Sequence, residues 1–308
     1  MEYPVTVIAG PTCTFKSATA VELALMIGGE VVSADSAQVY RGMDIGTSKI
    51  TEAEMKGVPH HMIEVTDPTD GSTVSSFTEK ALRCIEDIRF RRRVPIIVGG
   101  TGFYIESLLF LQPDSEPGVD PEYRAKLKKK AENGGLKDLY DELSLRDPRY
   151  AASVHPNNRM RIIRALEYIH STGRPYSEYA MDFNPEPRFP FRCFVFDDDR
   201  SELRERICSR VDRMMAEGFK EEVRRLVSDG VQRDSVAMQA VGYRQMFDAV
   251  SGDLSVDQAV ADIKTVTCQI AKRQLTWFRH REYAEWIDIS RYRRDPKRLA
   301  EAIKKSLN

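Results

Sequence analysis

The chain has 308 residues and five cysteines, a formal net charge of −1, and 42% apolar and 30% charged residues, which describes an ordinary globular protein. The cysteines are odd in number, scattered and never in a C-x-x-C pair, which argues against a disulfide framework and against a zinc finger. No apolar run approaches ~20 residues, and the start "MEYPVTVIAG" enters a strand with no charged leader, so a cytoplasmic protein that does not enter membranes is expected.

In chain order, "VTVIA" (5–9), "EVVSA" (30–34) and "PIIVGG" (95–100) are continuous and β-branched, which predicts buried parallel strands. Helical patterns at 16–27, closed by Gly28-Gly29, and at 75–90 lie between them. This βαβ alternation implies an α/β fold, a parallel sheet with helices on both faces. Residues 114–187 differ. They are bounded by the proline-rich "LQPDSEPGVDPEY" and "NPEPRFPF", and their apolar residues fall at helical spacing. A helical insertion over 114–187 is therefore expected between core segments 1–113 and 188–308. A fourth strand, "CFVFD" (193–197), follows, and then helices over 200–228, 235–250, 255–282 and 295–307.

Three loops carry chemistry. "GPTCTFKS" covers Gly10, Pro11, Thr12, Cys13, Thr14, Phe15, Lys16 and Ser17. It fits the G-x-x-x-x-G-K-[ST] phosphate loop except at Phe15, where glycine is usual. In such a loop, backbone N–H groups and a helix N-terminus surround a diphosphate, the lysine neutralises charge and the serine can ligate Mg²⁺. The second loop is "SADSAQVYRGMDIGT", where Asp35 leaves the carboxyl edge of a strand; it could ligate metal through water, act as a base or cap a turn. In "VGGTGFY", the glycines around Thr101 allow close approach of a neighbour. From Lys272 to Lys305, eleven Lys/Arg face five Asp/Glu; this is either a face for a polyanion or a solvated helix surface. His60-His61 lack a third ligand and are read as structural, and Asp197–Asp199 as a helix N-cap.

The segments "GPTCTFKS", "SADSAQVYRGMDIGTSK", "VPHHMIEVTDP", "VGGTGFYI", "HPNNRMRIIRALE", "VGYRQM" and "AKRQLTWFR" together resemble the bacterial tRNA dimethylallyltransferases, also called tRNA isopentenyltransferases. The resemblance runs in order from residue 5 to 287 and departs clearly only at Phe15. It implies a P-loop NTPase-like core and transfer of a dimethylallyl group from its diphosphate to N6 of the adenosine 3′ of the anticodon, in tRNAs that read codons beginning with U. It implies that residues 10–17, with Mg²⁺ on Ser17, hold the diphosphate, that Arg210 contacts it, that Asp35 is the general base and that Thr101 lies near the reacting atoms. Contacts to the tRNA anticodon stem-loop are expected from Asp35, Ser36, Ala37 and Gln38, and from Arg159, Met160, Arg161, Ile162, Ile163 and Arg164. Tyr243, Arg244, Lys272 and Arg273 are expected to add to them, while Trp277 and Phe278 suit a helix core better than a stacking platform. A monomer is expected. Two other readings remain at this level: a small-molecule P-loop kinase, and a tRNA-binding relative whose catalysis was lost at Phe15.

Overall fold

A computed structural model describes residues 3–111, 120–180 and 186–307. The chain forms β1 (Val5–Ala9), α1 (Lys16–Ile27), β2 (Gly29–Ser33), a single turn α2 (Glu52–Met55) and β3 (His60–His61), then α3 (Val74–Phe90), β4 (Val94–Gly99) and α4 (Gly102–Leu109). Next come α5 (Pro121–Glu132), α6 (Leu136–Arg146), α7 (Pro148–Ser153), α8 (Arg159–Thr172) and α9 (Tyr176–Ala180). The chain closes with β5 (Phe191–Asp197), α10 (Arg200–Ala216), α11 (Phe219–Ser228), α12 (Tyr243–Ser251), α13 (Val256–Arg279), β6 (Ala284–Asp288) and α14 (Pro296–Leu307).

All strand pairings are parallel, in the order β3-β2-β4-β1-β5-β6. Every residue of β1, β2 and β4 is buried, as expected of strands covered on both faces. On one face, Ile8, Val31, Ile96, Val98 and Phe194 pack on Ala20, Leu23 and Ala24 of α1 and on Leu299 and Ile303 of α14. The four expected strands form within two residues of their anticipated limits. β3 and β6 were not anticipated: both are edge strands, and their residues are half-buried or exposed rather than a continuous apolar run. The expected helix 200–228 is two helices, because Gly218 takes φ +99°, a left-handed conformation that no helix interior accommodates.

The chain divides into two compact units, Met1–Leu109 with Pro187–Asn308, and Phe110–Glu186. The proline-rich stretches that suggested a division at 114 and 187 lie partly outside the described residues, at 112–119 and 181–185. The second unit has its own core of Leu127, Leu139, Leu143, Ile162 and Leu166. Side chains of Asp120, Asp147 and Asn158 cap three of its helices. Arg124 closes an ion pair with the buried Glu167. Among the described residues no helix is long and apolar enough to cross a membrane.

Candidate active site

The loop between β1 and α1 wraps as a phosphate loop does. The Thr14 hydroxyl and the Lys16 ammonium both donate to the Pro11 carbonyl, at 2.7 and 2.5 Å. Phe15 takes φ +62° and ψ +18° immediately before α1, and Cys13 takes φ +61°. The loop thus keeps the left-handed geometry that glycine normally supplies, and phenylalanine is held in it. The ring lines the cavity onto which the loop opens. It is partly exposed and lies 5.6 Å from the Arg206 guanidinium of α10.

The loop opens on a cavity of about 770 Å³ whose wall includes Thr12, Lys16, Ser17, Asp35, Gln38, Gly100, Arg210 and Gln274. These residues come from three loops, the first turn of α1 and two late helices, gathered at the carboxyl edge of the sheet. Burial lowers the Lys16 pKa to about 8; Arg210 adds to the fall, and Asp35 and Cys13 oppose it. Arg210 donates to the Thr12 hydroxyl and, at 3.0 Å, to the Thr47 carbonyl, so it bridges the first two loops. A smaller cavity of about 470 Å³ adjoins, with Cys13, Phe15 and Arg210 in both walls.

Asp35 accepts from Ala37 and Gln38 N–H through one oxygen, Oδ1, at 2.9 and 3.4 Å. It therefore caps its own turn, while Oδ2 makes no hydrogen bond among the described residues. Ser36 is exposed and Ala37 half-buried. The Gln38 amide is engaged at both ends, accepting from Ser33 Oγ at 3.2 Å and donating to the Thr47 carbonyl at 3.4 Å. It must exchange these partners to meet an adenine edge. Downstream, the "DIGT" turn wraps a carboxylate from α11. Glu222 accepts from Asp44, Ile45 and Gly46 N–H at 2.9, 2.7 and 3.1 Å, and from the Tyr243 hydroxyl at 2.6 Å.

That network corrects the expectation for Tyr243. Its ring is fully buried against Phe219 and its hydroxyl is spent on Glu222, so no RNA reaches it. Arg244 beside it is exposed. Ile162 and Ile163 are corrected likewise, because both point into the core of the second unit. Their neighbours Met160 and Arg161 are exposed, Arg159 pairs with Glu132 at 3.2 Å, and Arg164 is half-buried. Lys272 and Arg273 are exposed on α13.

The glycines of "VGGTGFY" admit protein, not only ligand. A Cβ at Gly100 would stand 2.3 Å from Gln274 Nε2, and one at Gly102 would stand 2.3 Å from Trp277 Cδ1. Helix α13 thus lies directly on this loop. Trp277 is structural, its indole donating to Glu106 at 3.2 Å, and Phe278 is core. Gln274 had not been expected in the site, although it sits inside the "AKRQLTWFR" motif one turn before Trp277. Its Oε1 accepts from Thr12 N–H at 3.3 Å. Thr101 heads α4, its carbonyl accepting from Tyr104 and Ile105 N–H at 2.9 and 3.1 Å. It adjoins Gly100 but does not itself form the cavity wall.

His61 pairs with Glu30 at 2.8 Å. His60 lines the cavity, uses Nδ1 on the Val58 carbonyl at 2.8 Å and is kept neutral by burial. Among the described residues no three His, Cys, Asp or Glu side chains converge to hold a metal. Asp199 is the helix cap expected of the acidic run, but Asp198 is buried and pairs with Arg206 and Arg294.

Residues 38–281 match the family model described as IPP transferase. The chain belongs to the tRNA dimethylallyltransferase family. A tRNA dimethylallyltransferase of Exiguobacterium sp. is 45% identical over 94% of this chain and 91% of its own length. The crystal structure of a full-length tRNA isopentenylpyrophosphate transferase from Bacillus halodurans is 38% identical, covers 100% of this chain and 97% of its own, and superposes with a TM-score of 0.72. A eukaryotic dimethylallyltransferase captured acting on tRNA is 27% identical over 98% of this chain and 78% of its own, with a TM-score of 0.84. The family is one of transferases with a P-loop NTPase-like fold, and this chain is an enzyme of that kind.

Proposed function

We propose that this enzyme transfers the dimethylallyl group of dimethylallyl diphosphate to N6 of the adenosine 3′-adjacent to the anticodon, in tRNAs reading codons that begin with U. The observation that carries the reading is one cavity in which a phosphate loop, two cations and a carboxylate meet: residues 12–17, Lys16, Arg210 and Asp35. Family membership supports the reaction class; the atom and the position are our assignment.

In the step we assign, the N6 lone pair forms a bond to C1 of the dimethylallyl group. The C1–O bond breaks, and its electron pair leaves on the diphosphate. Charge grows on the departing oxygen, where Lys16, Arg210 and the loop N–H groups stabilise it without reorganising. The N6 amine is a weak nucleophile until it loses a proton, and Asp35 takes that proton as general base. Its turn-capping bonds fix the carboxylate in place. The adenosine must leave the anticodon-loop stack to enter the cavity. Thr101 supports this edge from the head of α4.

Mg²⁺ fits the donors here. Ser17 offers an exposed hydroxyl, a hard oxygen, and diphosphate oxygens and water would complete the shell. Held there, Mg²⁺ would supply positive charge beside the leaving group. We assign RNA contacts to each unit by itself: Ser36, Arg244, Lys272 and Arg273 on the first, and Arg159, Met160, Arg161 and Arg164 on the second. We read the enzyme as a cytoplasmic monomer.

The test is purified protein with dimethylallyl diphosphate and tRNA, with mass analysis of the digested nucleosides. Asp35→Asn should lower single-turnover transfer by at least 100-fold while tRNA affinity stays within about threefold. A near-normal single-turnover rate would remove Asp35 as the base. Tight tRNA binding by the unaltered protein with no prenylated nucleoside would show that Phe15 has ended the chemistry. Turnover of ATP in place of the allylic donor would favour a kinase.

A further inference from the structure

The phosphate loop carries two side chains, Cys13 and Phe15, in left-handed conformations that L-residues disfavour. Something outside the loop must hold it there, and α10 supplies a candidate. Arg206 Nε donates to the Cys13 carbonyl at 3.1 Å, while its guanidinium faces the Phe15 ring at 5.6 Å. One side chain thus grips both left-handed residues. Arg206 does not line the cavity that holds Lys16 and Asp35; it lines the smaller one beyond Phe15.

Arg206 is itself anchored. Its Nη2 donates to Asp198, whose side chain has no exposed surface. Arg294 secures the same carboxylate, Nε to Oδ2 at 2.9 Å and Nη2 to Oδ1 at 3.0 Å. Burial acts to raise the Asp198 pKa, but the two arginines outweigh it and hold the carboxyl below its ordinary range. A buried carboxylate with two cations is costly to assemble and rigid once assembled. Such an anchor fixes the Arg206 fork far more tightly than solvent would.

We infer that Arg206, oriented by Asp198, is a positioning residue for the diphosphate: it clamps Cys13 and Phe15 in the left-handed geometry of the cradle from outside. In this chain the clamp does what glycine's conformational freedom does in a loop that has glycine at this position. The inference rests on the reading that residues 10–17 hold the diphosphate.

The test is a double-mutant cycle over Arg206→Ala and Phe15→Gly, with Arg206→Lys as a milder variant. Binding of inorganic pyrophosphate is measured by calorimetry, and KM and kcat are measured with dimethylallyl diphosphate. Arg206→Ala should weaken pyrophosphate binding about tenfold and raise KM more than it lowers kcat. Arg206→Lys keeps the charge but lacks the fork, so it should recover only part of the loss. In the Phe15→Gly background the same Arg206→Ala change should cost clearly less than in the parent, because glycine holds position 15 unaided and only Cys13 still needs the bond. Equal losses in both backgrounds would overturn the clamp, as would unchanged pyrophosphate binding in Arg206→Ala. If Arg206→Ala does not fold, Arg206→Lys enters the same cycle with the same two overturning results. Should the unaltered protein fail to bind pyrophosphate, the functional reading falls and the clamp with it; additive losses in a protein that does bind remove the clamp alone.

Discussion

Glu222→Gln isolates the effect of one charge, because the two side chains have nearly the same shape and leave no void. In the native protein the carboxylate takes four donors, three backbone N–H groups of 44–46 and the Tyr243 hydroxyl. Burial, reinforced by Glu222, pushes the Tyr243 pKa well up, so the phenol remains a donor. A glutamine has one oxygen, and its NH₂ group would face donors. About two of the four bonds are lost, each of them a bond to a charged acceptor, at roughly 1.5–3 kcal/mol apiece. Relief of burying the charge offsets part of this, leaving a net loss of about 3 kcal/mol. For a unit of this size each kcal/mol moves Tm by about 2–4 °C, so the expected fall is about 6–12 °C by scanning calorimetry. The same variant should raise KM for the allylic diphosphate, since the loosened turn carries the Thr47 carbonyl that holds Arg210. A Tm within about 2 °C of the parent would refute the reasoning.

Other outcomes follow from the same geometry. Lys16 carries a pKa lowered to about 8 in the free enzyme, and the anion needs the protonated form. Affinity for dimethylallyl diphosphate should therefore be level from pH 7 to 8 and then weaken by up to about tenfold per unit; a flat KM up to pH 9.5 would contradict it. Gln274→Ala should raise that KM severalfold, and Gln274→Glu should raise it further by placing negative charge beside the cradle. Equal KM values for the two variants would put Gln274 away from the anion. Arg161→Glu should weaken tRNA binding and flatten its salt dependence by about one to two counterions, which titrations at several salt concentrations would read; an unchanged slope would mean that Arg161 meets no phosphate.

Much of the architecture was legible because buried parallel strands leave a continuous β-branched trace. β1 is "VTVIA" without a polar break except a buried threonine. β6, "AEWID", leaves no such trace, since it runs along the sheet's edge with no fully buried residue. The division of 200–228 was signalled by Gly218, which a helical reading of the charged residues around it overran. In the site, Lys16 was legible from the phosphate-loop spacing between a strand and a helix, and Asp35 because it stands just past a strand end. Gln274 was not, because its role depends on α13 lying on a glycine loop more than 150 residues earlier in the chain. Tyr243 was misread for a related reason. A tyrosine next to an arginine suggests a nucleic-acid contact, and only the packed structure reveals Glu222 waiting for its hydroxyl.

The position of β1 between β4 and β5 has a consequence for how this chain is made. While the protein leaves the ribosome, β1 can pair with β4 once residue 99 has emerged, but its other edge stays bare until β5 follows at 191–197. At roughly 5–20 residues per second that interval lasts about 5–20 s. Throughout it the nascent chain presents an open, β-branched strand edge of the kind that recruits unwanted partners. The cradle too stays unfinished until Arg210 and Gln274 arrive. Chains that stall or are cut short before β5 are therefore the ones most exposed to aggregation, and they cannot be rescued by substrate.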